Sequence, residues 1–117
     1  MAAPNIVNVA TIIGKTAVQA VGTSATAIVS NAGGSGKVFK VNALYVANID
    51  GSANADITVD FFRSSTAYPV TSTVTVPADA TLDVISKAIY LEEGDSLRCT
   101  ASASGDLVAV CSYEEIS

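Results

Sequence analysis

Apolar and polar residues alternate with a period of two through most of this chain, and that period fits strands rather than helices. Ile57, Val59 and Phe61 alternate with Asp56, Thr58 and Asp60, and Leu97, Cys99 and Ala101 with Arg98, Thr100 and Ser102. Tyr68, Val70, Val74 and Val76 alternate with Thr71, Thr73 and Thr75 ahead of Pro77. Each such run predicts a half-buried strand with one face on a core. Residues 37–49 are longer, rich in β-branched and aromatic side chains, and apolar on both faces around Leu44-Tyr45-Val46. A central sandwich strand, or a strand covered by a partner, has that pattern. Residues 16–21 and 25–31 add two early strands, residues 81–85 and 87–91 two short ones broken near Ser86, and residues 106–114 the last. The count is eight or nine strands about ten residues apart, with no sustained helical period. The predicted fold is all-β: a single-domain antiparallel β-sandwich or jelly roll.

The first fourteen residues stand apart. Residues 1–14 carry no charged side chain but do carry Ile6, Val7, Val9, Ile12 and Ile13, and end at Gly14 before Lys15. They read either as a first strand or as an arm lying on another subunit, with residues 15–117 as the sandwich. Half of the residues are apolar and only 15% are charged, which is too apolar for disorder and sparse in charge for a free monomer. Some apolar surface is therefore expected to belong to a neighbour.

Net charge is −5, and the cations Lys15, Lys37, Lys40, Arg63, Lys87 and Arg98 form no stripe. Direct nucleic-acid binding, which needs clustered Lys and Arg on phosphates, is disfavoured. No apolar run approaches the roughly 18 residues of a membrane-spanning helix. The amino terminus lacks the basic region of a signal peptide, so synthesis and assembly in a cytoplasm are expected.

Histidine and tryptophan are both absent. Without histidine, the usual acid–base group near neutral pH is missing, and no Ser-x-x-Lys motif offers a serine its base. No enzyme activity, catalytic residue, cofactor or metal is expected. Gly33-Gly34-Ser35-Gly36-Lys37 lacks the Ser or Thr and the helix that a phosphate loop needs after its lysine, so it reads as a plain loop. Asp50, Ser52, Asn54 and Asp56 alternate as in a calcium loop, but Ala55 and Phe61 stand where that loop needs Gly and Glu. Glu92, Glu93 and Asp95 read as a solvated acidic turn. The aromatic residues fall mostly at positions expected to face the core, Phe62 excepted. Phe62 shares the polar face of its strand with Thr58 and Asp60 and is a candidate contact residue.

Cys99 and Cys111 flank Ser104-Gly105-Asp106. A three-residue hairpin there places the two directly opposite, with Leu97 facing Tyr113 and Ala101 facing Ala109. In a reducing cytosol they are expected as buried thiols rather than a disulfide.

Three stretches carry a family resemblance: MAAPNIVNVATIIGKTA, KVNALYVANIDGSANADITVDFF and, most specific, VPADATLDVISKAIYLEEGDSLRCTASASGDLVAVCSYEEIS. They resemble short virion-associated proteins of marine tailed phages, especially cyanophages and their contractile-tailed relatives. The resemblance implies a non-enzymatic virion protein, with capsid decoration or cement on the outer capsid surface as the favoured role and the major capsid protein or another virion protein as partner. Neck, tail, baseplate or fibre positions are the alternative. So is a receptor- or glycan-binding module using loops at residues 50–54 and 66–69. Homo-oligomers are expected, a trimer being one symmetry that seats each copy on a lattice axis. The candidate subunit contacts are Ile6, Val7, Val9, Ile12, Ile13, Leu44, Val46 and Phe62.

Overall fold

Strands that are apolar on one face must stack in pairs of layers to hide that face. The computed structural model describes Asn5 and residues 7–117, and its regular elements are strands alone. They are β1 Ile12–Ala20, β2 Thr26–Ser30, β3 Val38–Asn48, β4 Ala55–Arg63, β5 Thr66–Val76, β6 Thr81–Asp83, β7 Ile89–Leu91, β8 Ser96–Ala101 and β9 Leu107–Ile116. One antiparallel sheet runs β1-β9-β3-β6, with β7 also on β3, and the other runs β2-β8-β4-β5. β7 pairs with Phe39–Val41 and β6 with Tyr45–Ala47, so the two act as one strand interrupted around Ser86. Counted that way, eight strands fill two four-stranded sheets in jelly-roll order. The predicted antiparallel sandwich is the fold.

β1 begins at Ile12 and runs through Gly14-Lys15 without a break, paired to β9 along its whole length. The core lies between the sheets, where Val41, Leu44 and Val46 of β3 meet Ile57, Val59, Leu97 and Cys99, all fully buried. In β3 the register against β9 shifts between Val41 and Ala43. This bulge at Asn42 changes which parity faces inward, from Phe39 and Val41 to Leu44 and Val46. It explains why the sequence looked apolar on both faces there. Leu44 and Val46 are core residues with no surface to give another subunit, which corrects their assignment as contacts; Tyr45 between them points out, 44% exposed.

The hairpin expected around the cysteines does not form. β8 and β9 belong to different sheets, so Ser104-Gly105-Asp106 turns a corner between layers. Ala101 pairs with Ile57 and Ala109 with Val46, not with each other. Cys99 and Cys111 enter the core from the two opposing sheets as free thiols.

Two buried asparagines tie the loops at the sandwich ends. Asn31 Nδ2 donates to the carbonyls of Lys37 (2.9 Å) and Leu91 (3.0 Å), while its Oδ1 accepts from Ser35 Oγ at 2.6 Å. Its backbone pairs with Asp95 and Gly94. Asn48 Nδ2 donates to Ala53 and Val76 carbonyls, both at 2.9 Å, and its Oδ1 accepts from the Asp50 amide. An amide carries two donors and an acceptor, and each of these side chains uses all of them. Asn31→Ala leaves two buried carbonyls without this donor and is expected to cost about 3 kcal/mol in denaturant unfolding. The β4–β5 hairpin turns on Ser64 (φ 52°) and Ser65 (φ 59°), where glycine carries no steric cost. Ser65→Gly is expected to raise stability by about 1 kcal/mol in the same measurement.

Candidate functional site

The two outward faces of the sandwich differ in kind. On the β2-β8-β4-β5 sheet, Asp60 and Arg98 oppose each other and pair through Arg98 Nε at 2.8 Å and Nη2 at 3.3 Å. The Arg98 guanidinium sits 4.0 Å from the centre of the Phe62 ring, a cation–π contact. Thr75 Oγ1 donates to Asp56 at 2.8 Å, and Thr58 Oγ1 accepts from the Thr73 amide at 3.0 Å. These polar groups satisfy one another. Phe62, expected as a contact residue, is half-buried against Arg98.

The outward face of the β1-β9-β3-β6 sheet is mixed: apolar rows lie towards its two ends, and between them run the row Thr16-Ser112-Ala43 and one that carries Glu114 and Lys40. Register places Val18, Val110 and Tyr45 in one row ending at Asp83. Ala20, Val108 and Ala47 form the next row, ending at Thr81. Towards the other end, Gly14, Glu114, Lys40 and Tyr90 share a row, and then Ile12, Ile116 and Val38, of which Ile116 and Val38 are buried. Val18 is 72% exposed and Ile12 55%, with Tyr45 and Tyr90 exposed as well. Antiparallel sheets usually turn a polar face to water, so the apolar end of this face around Val18, Val110 and Tyr45 is a candidate interaction surface.

Sequence reasoning missed Val18, Tyr45, Val110 and Tyr90. β1 is the reason for Val18: its inward parity holds Lys15 and Gln19 and its outward parity holds Val18. The polar pair stays at the rim, Lys15 on Glu115 at 2.7 Å and Gln19 Nε2 on the β2 carbonyl of Ala27 at 3.1 Å. Tyr45, Tyr68 and Tyr90 were expected in the core and are exposed, because Tyr45 and Tyr90 take outward parity and Tyr68 lies on the edge strand β5. Residues 66–69 belong to β5 and are not a loop.

Val7 is 90% exposed, Val9 half-buried, and Ile13 exposed, while Ile6 lies outside the described residues. The Ala10 and Thr11 amides both donate to the Ser117 carbonyl, extending the β1–β9 pairing backwards.

The ionisable groups singled out in the sequence are committed to structure. Lys37, after the glycine loop, reaches Glu115 at 3.1 Å, so that carboxylate holds two lysines. Arg63 forks onto Asp95 at 2.8 and 2.6 Å and touches Glu92 at 2.7 Å, in a shallow cleft of about 470 Å³ at the acidic turn. Asp50 Oδ1 accepts from Ser52 and Ala53 amides within its own turn. Burial pushes Cys99 up to about 12 and Cys111 up to about 11. Both thiols therefore stay protonated and unreactive at neutral pH.

No family model matches the chain, and no curated protein matches it. Among solved structures it is similar to a chain from Bacillus endospore appendages, a family of disulfide-linked pili. The two are 14% identical with a TM-score of 0.53, over 92% of this chain and 88% of the other. The likeness is one of fold.

Acid should loosen the sandwich. The Lys15 hydrogen bond holds the Glu115 carboxyl below its ordinary range, and the Ser52 amide does the same for Asp50. Burial pushes Asp95 up, but Arg63 and the Glu92 amide outweigh it and leave it low. A carboxyl depressed by folding stabilises above its unfolded pKa and loses that contribution as pH falls through the folded value. Asp106 runs the other way, raised by burial and by the neighbouring Asp50 charge, and favours the folded state on protonation. With three depressed groups against one raised, Tm is expected to be lower at pH 3 than at pH 7. Asp106→Asn should raise Tm at pH 7 by relieving Asp50, as followed by circular dichroism.

Proposed function

We propose that this chain is a non-enzymatic structural protein that works in many copies, as a component of a tailed phage virion with head decoration or cement as its role. The observation carrying the proposal is the apolar row Val18-Val110-Tyr45 on the outward face of one sheet, with Val18 and Tyr45 exposed, where the outward polar groups of the other sheet pair within the chain. A small domain gains little from one modest apolar patch. Many copies on a repeating surface accumulate such contacts, because each neighbour held in place raises the effective concentration of the next. The sequence resemblance to virion-associated proteins of marine phages supports the virion setting. The fold likeness to an appendage subunit supports the coarser statement, a building block of an extended assembly. In that neighbour the pili are disulfide-linked. Here both cysteines are core thiols, so contacts between copies are non-covalent.

A cryo-electron-microscopy reconstruction of the intact particle tests this reading. Copies of the jelly roll on the outer shell, seated by the Val18-Val110-Tyr45 face, are the expected result. Density in neck, tail or fibre moves the role along the particle, and absence from every part overturns the virion assignment. Tyr45→Glu sets a second carboxylate beside Asp83 on an exposed position and should leave the fold intact. Its occupancy on particles is expected to fall about tenfold, the effect of about 1.4 kcal/mol per copy.

A further inference from the structure

We infer that two copies of this chain pair edge to edge through β1, antiparallel about a two-fold axis at Thr16. The inference concerns the free protein in solution and stands apart from the virion reading. A strand at the edge of a sheet presents a row of unpaired N–H and C=O groups, and proteins blunt such edges with proline, bulges, charge or shortness. The other edges of this sandwich are all blunted. β5 carries Pro69, register shifts around Val59 and a positive φ of 52° at Thr73. β2 has five residues and an irregularity between Ala27 and Val29. β6 and β7 have three residues each.

β1 alone among the described strands is a long, regular edge. Its nine residues pair with β9 without a register shift and contain no proline. Its one charge, Lys15, is drawn to the inward parity by Glu115, so no charge guards the open side. An unguarded edge meeting the same edge of a second copy gives an isologous, closed pair.

Two oddities of β1 are resolved by that pairing. Gly14 interrupts a strand although a Cβ there meets nothing within 4 Å, so the chain's own packing does not require glycine. Four residues on, Val18 is 72% exposed on the same outward face. A two-fold at Thr16 sets Val18 directly opposite Gly14 of the second copy, twice over, a side chain beside a vacancy. It also sets Lys15 opposite Ala17, so the lysines do not face each other. The outward faces of the two copies join into one wider sheet face, the Val18-Val110-Tyr45 row of each continuing into the Gly14-Glu114-Lys40-Tyr90 row of the other.

Light scattering coupled to size exclusion, on the full chain at micromolar concentration, reads the outcome. The expected mass is twice the 11.8 kDa of one chain. Thr16 is exposed and meets its own copy across the axis, so Thr16→Lys and Thr16→Glu should each give single chains with unchanged circular dichroism. Their equimolar mixture should return to the double mass. A wild-type chain that stays single, a mass above two copies, a charged variant that keeps the double mass or a mixture that stays single overturns the proposal. A second readout does not depend on charge. Thr16→Cys should link into a two-chain band under mild oxidation, whereas Thr73→Cys on β5 should not, Cys99 and Cys111 being buried in both. Failure of Thr16→Cys to link, or equal linking by both, overturns it.

Discussion

Asn31 and Asn48 carry a burden out of proportion to their size. A jelly roll sends its chain back and forth between two sheets, and every crossing leaves backbone carbonyls at the sandwich ends with no ladder to join. Asn31 gathers the end of β2, the glycine loop and the end of β7 onto one amide, and Asn48 does the same for the β3–β4 loop and the end of β5. Each is buried and each is fully bonded, the condition under which a buried polar group specifies a structure rather than weakening it. The position of the acidic turn, and with it the Arg63–Asp95 fork, follows from Asn31 through the backbone bonds to Gly94 and Asp95.

Much of the fold was legible because alternation is a direct image of a half-buried sheet. Residues 57–61 and 97–101 show it cleanly, since their polar positions meet water or each other and their apolar ones meet the core. The break near Ser86 was visible for the same reason. β3 was harder, because one extra residue at Asn42 reverses the parity that sequence spacing assumes constant. The pairing of β8 and β9 was lost for another reason: a short polar turn joins strands of one sheet or of two, and which it does depends on distant partners, Ile57 and Val46 here.

The candidate surface was less legible than the core. Its general neighbourhood, Ile12 and Ile13, was read from composition, yet the middle of the patch is Val18, Val110 and Tyr45. On β1 the usual rule is inverted, and Lys15 and Gln19 point towards the layer gap only because Glu115 and two β2 carbonyls receive them at the rim. No local pattern announces such an arrangement.

The placement of the two cysteines bears on how the molecule ages. Thiol exchange and oxidation proceed through the thiolate, and with Cys111 at about 11 and Cys99 at about 12 the thiolate is rarer than the thiol by roughly four orders of magnitude or more at neutral pH. Each sulfur is also shut behind a full sheet. Oxidation of either sulfur is therefore set by how often the sandwich opens, not by the oxidant in the surrounding water.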